Sequence, residues 1–254
     1  MKNKVAIITG GSSGMGKYMA KHFVELGGNV VITGRNEERL QSAIKEIEHP
    51  NGKVIPFQMD VRNVEHVQAM VEKTAAEFGT IDFLVNNAAG NFICAAEELS
   101  PNGWKSVIDI VLNGTFYCSS AVGKYMIANG VKGAMLNMVA TYAWDAGPGV
   151  VHSASAKAGV LALTRTLAVE WGRKYGIRVN AMAPGPIERT GGAAKLWESE
   201  AAAKMTLDSV PLGRLGKPEE IAQLAAFMLS DQAAYLNGEC ITLDGGSWLN
   251  QRPF

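Results

Sequence analysis

Seven short apolar runs, separated by six longer stretches of helical period, decide what this chain folds into. Val5–Thr9, Asn29–Thr33, Lys53–Gln58, Ile81–Val85, Ala134–Val139, Arg178–Ala183 and Glu239–Leu243 read as strands, because short β-prone runs bounded by Gly, Asn or Pro take that form. Between them, Met15–Leu26, Glu37–Glu48, Val64–Phe78, Trp104–Ala128, Ala154–Lys174 and Pro218–Leu229 carry the spacing of amphipathic helices. Strands that are apolar almost throughout are buried on both faces, and helical crossovers supply the cover. The expectation is an α/β fold with a doubly wound parallel seven-stranded sheet and helices on both faces. With 254 residues, 47% of them hydrophobic, the chain can bury one sizeable core. No linker, low-complexity stretch or repeat divides it, so residues 1–254 are expected to form a single domain. One polar, alanine-rich segment, Glu188–Val210, interrupts the alternation and reads as a mobile pair of short helices over a pocket.

The first strand runs into VAIITGGSSGMGKYMA, which places Gly10, Gly14 and Gly16 between that strand and the first helix, with Ser12, Ser13 and Met15 among them. Glycines permit a tight turn and a close backbone approach to a pyrophosphate, which then sits on amides at the positive helix end. A glycine triplet alone also fits an ordinary strand-to-helix turn, but the strand before and helix after are the context a Rossmann-type dinucleotide motif requires. Asn86–Gly90 follows the fourth strand, and its small residues allow Asn87, Ala88 and Gly90 to pack beside a cofactor. Met59–Val61 follows the third, where Asp60 and Val61 can reach an adenine edge.

The end of the second strand, VVITGRN, offers no Asp or Glu for a ribose 2′-hydroxyl; Arg35 stands there, beside Thr33 and Asn36. A carboxylate repels a 2′-phosphate, whereas a guanidinium binds it through charge-assisted hydrogen bonds. Arg35 also reads as a surface residue opening a helix, but the missing acid favours NADPH over NADH. Balanced charge, 24 basic against 24 acidic residues, argues against nucleic acid or an anionic membrane as partner. No signal peptide or membrane-length apolar run is visible. Cys94, Cys118 and Cys240 lack metal-like or disulfide-like spacing, which fits a reducing, cytoplasmic setting.

Together TGGSSGMG, NNAAG, VLNGTF, RVNAMAPGPI and LDGG resemble the short-chain dehydrogenase/reductase family over nearly the whole chain. That resemblance implies a Tyr four residues before the helix lysine and a Ser thirteen before the Tyr. Here Lys157 is preceded at those positions by Ser153 and Ala140, so neither group is in place. The runs NNAAGNFICAAEELSPNGWKSVIDIVLNGTF, TYAW and VVHSASAKAGVLALTRTLAVEWG resemble a smaller branch, the NADPH-dependent 2,4-dienoyl-CoA reductases. In that branch a tyrosine fifteen residues ahead of the lysine replaces the helical one, and Tyr142 matches it. The Asn after NNAAG, here Asn91, is also used. Enoyl reductases of fatty-acid synthesis place six residues between Tyr and Lys, and no such pair ends at Lys157.

The resemblance implies hydride addition at C5 of a 2,4-dienoyl-CoA and a dienolate held by Tyr142 and Asn91. Protonation at C2, with water as the source, then yields the 3-enoyl-CoA within β-oxidation. It further implies that Lys157 binds the nicotinamide ribose and that Asn113, in VLNGTF, supports the lysine. Pro184, Gly185 and Ile187, with Thr190 nearby, would face the nicotinamide carboxamide. Ser153 lies one turn before Lys157 on the same helix face and can bond it or the cofactor, or simply make room for substrate. An alkyl hydroxyl cannot serve as the acid a phenol provides. His152 points about 100° away from Ser153 along the helix and reads as structural. Leu196, Trp197, Met205 and Leu207 would form an apolar trough, and Arg189, Lys195 and Lys204 would meet CoA phosphates, although helix-face lysines are usually just solvated. Family members are dimers or tetramers, which implies a homo-oligomer, a homotetramer, joined through Trp104–Ala128 and Ala154–Lys174. Two other readings stay open: a carbonyl reductase of the same fold, and a non-catalytic NADP(H)-binding scaffold.

Overall fold

Seven strands, β1 (Val5–Ile8), β2 (Asn29–Gly34), β3 (Val54–Gln58), β4 (Phe83–Asn86), β5 (Ala134–Met138), β6 (Arg178–Pro184) and β7 (Cys240–Leu243), hydrogen-bond into one sheet. Every neighbouring pair is parallel, in the order β3-β2-β1-β4-β5-β6-β7. The computed structural model describes residues 1–190 and 200–250. The interior strands β1, β4 and β5 are buried at every position, as near-continuous apolar runs demand. Pro56 lies in β3, at the sheet edge, where a missing N–H breaks no ladder bond.

Helices cover both faces. On one, α1 (Gly14–Glu25), α2 (Glu37–Ile47) and α8 (Pro218–Leu229) bury Phe23, Met19, Leu40 and Ile221 against the sheet. On the other, α3 (Val64–Phe78), α5 (Gly114–Ala128) and α6 (Val151–Tyr175) bury Met70, Met126 and Leu167. A short α7 (Glu200–Asp208) precedes α8. No described helix is long and apolar enough to cross a membrane.

The helix expected over Trp104–Ala128 departs from its predicted form. It begins at Pro101 with α4 (Pro101–Ile108), where the Ser100 hydroxyl accepts from the Gly103 amide; Ser followed by Pro is a helix-start signal. A single wide turn, Asp109–Asn113, then separates α4 from α5. The Asn113 side chain donates to Asp109 there, at 2.9 Å, and such π-turns recur at functional sites. Helix α6 begins three residues earlier than the pattern predicts and ends at Gly176, which adopts the left-handed conformation of a C-cap.

Arg178 shows how the sheet holds the helical layer. Its guanidinium donates to the carbonyls of Met228, Leu229, Ser230 and Leu236, at 2.9–3.2 Å. Three of these carbonyls lie at the end of α8 or just past it, where helix carbonyls lack partners. Replacing Arg178 by Ala is expected to cost about 3 kcal/mol, from charge-assisted bonds lost at half-buried acceptors. Thermal unfolding should fall by roughly 6–12 °C, and a melting curve within a degree of wild type would refute this role.

Candidate active site

The sheet order reverses at β1, whose neighbours β2 and β4 carry the chain to opposite sides. In open α/β sheets ligands bind at the carboxyl ends of strands beside such a switch. A cleft of about 1140 Å³ lies there, reaching from Arg35 at one end to Trp248 at the other.

Its floor is the glycine turn. Gly14 takes a left-handed φ of 50° and has open space where a side chain would stand. At Gly16 a Cβ would come within 2.5 Å of the Asn87 amide nitrogen and the Gly10 carbonyl. The Asn87 side chain itself donates to the Thr9 and Gly10 carbonyls at 3.0 and 3.2 Å. Ser13 is the N-cap of α1 but its side chain makes no cap bond, so it leaves the opening amides of the helix to other acceptors. Room and donors suit the pyrophosphate of a dinucleotide. Gly10, Ser12, Ser13, Gly14 and Met15 line this floor, while Gly16 acts beneath it by permitting close packing.

At one end of the cleft, Arg35 shares the wall with Thr33, Asn36 and Arg39. Arg39 escaped the sequence reading, although its place four residues after Arg35 at the start of α2 was a usable signal. Asp60 and Val61 also line this end. The Arg62 guanidinium grips Asp60 by both carboxylate oxygens and holds its carboxyl below the usual range. On the wall toward β4 stand Ala88 and Asn87; Gly90 lies outside the lining.

At the opposite end, α6 presents Lys157 into the cleft. The residue is buried, its ammonium donates to the Met138 carbonyl at 2.5 Å, and burial pushes its pKa down to about 8. Tyr142 stands on a single 3₁₀ turn, Thr141–Ala143, just past β5. Its phenol oxygen lies 3.2 Å from the Ser153 hydroxyl. Ser153, 1% exposed, does not reach the cleft surface; it backs the phenol from α6. Asn91 lines the same end, and its side-chain oxygen accepts from the Phe92 amide at 2.9 Å. Pro184, Gly185, Ile187 and Thr190 form the remaining wall. Asn113 is not part of it, being turned to Asp109 in the π-turn. His152 is fully buried, with its ring 4.4 Å from that of Phe92; burial pushes its pKa down, which keeps it neutral within the packing.

Of the trough expected in Glu188–Val210, neither Met205 nor Leu207 lines the cleft, and Lys204 is exposed to solvent. Met205 is 74% exposed, because the α7 face carrying it turns to solvent. Leu196, Trp197 and Lys195 lie outside the described residues. Arg189 is tied to Glu188 and Glu219 and stacked on Tyr18, so it is not presented for phosphates. Instead, Asp145, Ala146, Ser247 and Trp248 border the cleft beyond Tyr142. The sequence reading missed these four because no regular spacing marks loop residues brought together by two strand ends.

A family model described as enoyl-(acyl carrier protein) reductase matches residues 10–247. A Bacillus subtilis protein named as a probable 2,4-dienoyl-CoA reductase producing the (2E)-enoyl-CoA is 65% identical over 254 residues, covering 100% of both chains. The mouse peroxisomal 2,4-dienoyl-CoA reductase, named as producing the (3E)-enoyl-CoA, is 41% identical over 98% of this chain and 85% of its own. Among solved structures, a short-chain dehydrogenase from Bacillus anthracis superposes with a TM-score of 0.91 at 64% identity, covering 99% of each chain. Likeness of this depth along the whole length is common descent: the chain belongs to the short-chain dehydrogenase/reductase family and is an oxidoreductase of that nicotinamide-dependent kind.

Proposed function

We propose that this protein is an NADPH-dependent 2,4-dienoyl-CoA reductase that yields 3-enoyl-CoA for the β-oxidation of unsaturated fatty acids. The observation carrying this reading is the Tyr142 phenol, delivered from a loop to within 3.2 Å of Ser153, in the cleft that Lys157 and Asn91 also line. The names of the relatives support the substrate class but divide on the product, (2E)-enoyl-CoA for the Bacillus subtilis protein and (3E)-enoyl-CoA for the mouse protein; the 3-enoyl product rests on protonation at C2. The description attached to the family model names another activity, but the tyrosine such enzymes set six residues clear of the lysine is here Val150.

Gly10, Ser12, Ser13, Gly14, Met15, Asn87 and Ala88 would hold the cofactor along the floor, and Lys157 would bind its nicotinamide ribose. Bound there, NADPH supplies the hydride that C5 of the dienoyl thioester accepts. Tyr142 and Asn91 donate hydrogen bonds to the thioester oxygen, where negative charge accumulates. Donors fixed before the charge arrives stabilise the transition state more than the ground state. Ser153 keeps the phenol in place, and the cation of Lys157 makes the local potential more positive, which favours the developing negative charge. A water then protonates C2, the carbon of an extended dienolate with most of the charge, which leaves the remaining double bond at C3. Phe116 and Val169, exposed on α5 and α6, support self-association through those helices as a homotetramer.

Removing the phenol should cost one preorganised donor. Tyr142→Phe is expected to lower kcat on trans-2,trans-4-decadienoyl-CoA by about 100- to 1000-fold, followed as NADPH oxidation at 340 nm with the product isomer assigned by NMR. Equal turnover in the variant, or ketones reduced in place of the dienoyl ester, defeats the reading; a 2-enoyl product overturns protonation at C2.

The arginines should decide the dinucleotide. Arg35→Gln is expected to raise the KM for NADPH about 10- to 100-fold, the range for a lost hydrogen bond between charged groups, and to leave the KM for NADH unchanged. A parallel rise for both cofactors would mean that Arg35 does not read the 2′-phosphate.

A further inference from the structure

Beyond Tyr142 the cleft is closed by two tryptophans from distant parts of the chain. Trp144 follows the Tyr142 turn, and Trp248 lies in the loop after β7. Their rings meet edge to face, with centroids 5.9 Å apart and planes at 89°. Trp248 lines the cleft, next to Ala146, Asp145 and Ser247, while Trp144 is 39% exposed at the rim. The loop bearing Trp248 is firmly held. Asp244 accepts from the Gly246 and Trp248 amides at 2.9 and 2.8 Å, and the Leu212 amide donates to the Gly245 carbonyl. The Trp144 amide in turn donates to the Thr141 carbonyl at 3.2 Å, so both rings are anchored at their backbones, yet the contact between them joins two loops that no strand pairing unites.

The charges around this end fix what it can accept. Among the described residues the cations lining the cleft are Arg35, Arg39 and Lys157, and the carboxylates are Asp60, Asp145 and Asp244; Asp244 stands beside Trp248, whose amide donates to it. Carboxylates and aromatic rings repel the phosphates and the charged head of coenzyme A, and an alkyl chain packs well on an indole face. We infer that the Trp144–Trp248 arch receives the alkyl tail of the acyl group beyond C5 and sets the preference for acyl length. This inference rests on the dienoyl-CoA reading and specifies which part of that substrate lies where.

A chain-length series tests it. Kinetics with trans-2,trans-4-dienoyl-CoA esters of six, eight and ten carbons are to be measured in wild type, Trp248→Ala, Trp248→Phe and Trp144→Ala. Each methylene packed on the arch contributes about 0.8 kcal/mol, close to fourfold in affinity, so KM in wild type should fall as the chain grows. Trp248→Ala is expected to raise the KM for the ten-carbon ester about tenfold or more, against less than twofold for the six-carbon ester, and Trp248→Phe should restore most of the loss. Trp144→Ala should shift KM in the same direction by less. A loss in Trp248→Ala that is equal at all lengths would overturn the inference.

A binding readout separates the arch from the reaction. Decanoyl-CoA, which has no diene to reduce, should change the tryptophan emission of the NADP⁺-loaded protein, and butyryl-CoA should not. The change should shrink in Trp248→Phe, where Trp144 remains as reporter, and vanish when both Trp144 and Trp248 are replaced by Phe. Equal changes from both esters, or one that survives the double substitution, refute the tail site. Absence of any dienoyl-CoA turnover in wild type would defeat the reductase reading instead, and the decanoyl-CoA titration would still decide the arch.

Discussion

Two loops leave the sheet in opposite directions at its centre, and a small set of hydrogen bonds keeps them from parting. The Thr9 hydroxyl accepts from the amides of Asn87 and Ala88 at 3.0 Å each, and the Asn87 side chain returns bonds to the Thr9 and Gly10 carbonyls. Without that clamp the ends of β1 and β4 would be free to splay, as their onward connections pull to different faces. With it, the glycine turn and the NNAAG segment form one rigid edge. The clamp also accounts for Gly16, since the Asn87 amide occupies the space that a Cβ would need. Everything placed in the cleft is placed relative to this edge.

The second organising feature is a cation in a dry place. The small residues of SASAKAG let α6 approach β5 closely enough for Lys157 to be buried with its ammonium on the Met138 carbonyl. Burial that pushes the pKa down to about 8 also means that the field of this charge is weakly screened. A charge developing on the cleft wall beside it therefore feels it more strongly than it would a surface charge of the same sign. The position of Lys157 depends on helix packing, not on a loop, which suits a group that must orient a ligand.

Much of the fold could be read from the chain because its signals are periodic. Apolar runs gave all seven strands within two residues at either end, and β-α alternation gave a parallel sheet covered on both faces. The misreadings fall where periodicity stops. Trp104–Ala128 continued its apolar pattern through Asp109–Asn113, and a π-turn alters that pattern too little to be seen in a sequence. Spacing from Lys157 brought Ser153 and Tyr142 to notice, and the fold sets them in hydrogen-bond contact. Asn113, chosen for its motif, lies off the cleft wall because the same π-turn directs its side chain to Asp109. Trp248 and Asp145 reach the cleft through tertiary geometry alone, whereas Arg39 carried a helical-spacing signal from Arg35 that went unread. Composition could not find them.

The displacement of the phenol has a consequence for the proposed chemistry. In carbonyl reduction the carbon that accepts hydride carries the oxygen that is protonated, so acid and hydride donor must converge on one bond. In a dienoyl thioester the accepting carbon and the oxygen stand at opposite ends of a conjugated chain, with four carbon–carbon bonds between C5 and the carbonyl carbon. The oxygen donor must then be set back from the hydride path. A tyrosine at position 153 would project its hydroxyl a full ring beyond the α6 backbone. Tyr142 instead approaches from the turn after β5, its hydroxyl 3.2 Å from the Ser153 Oγ, so the donor enters from another direction while the lysine stays in place. A site remodelled for a longer conjugated acceptor gains from such a change, and a site decaying into a scaffold has no reason to make it.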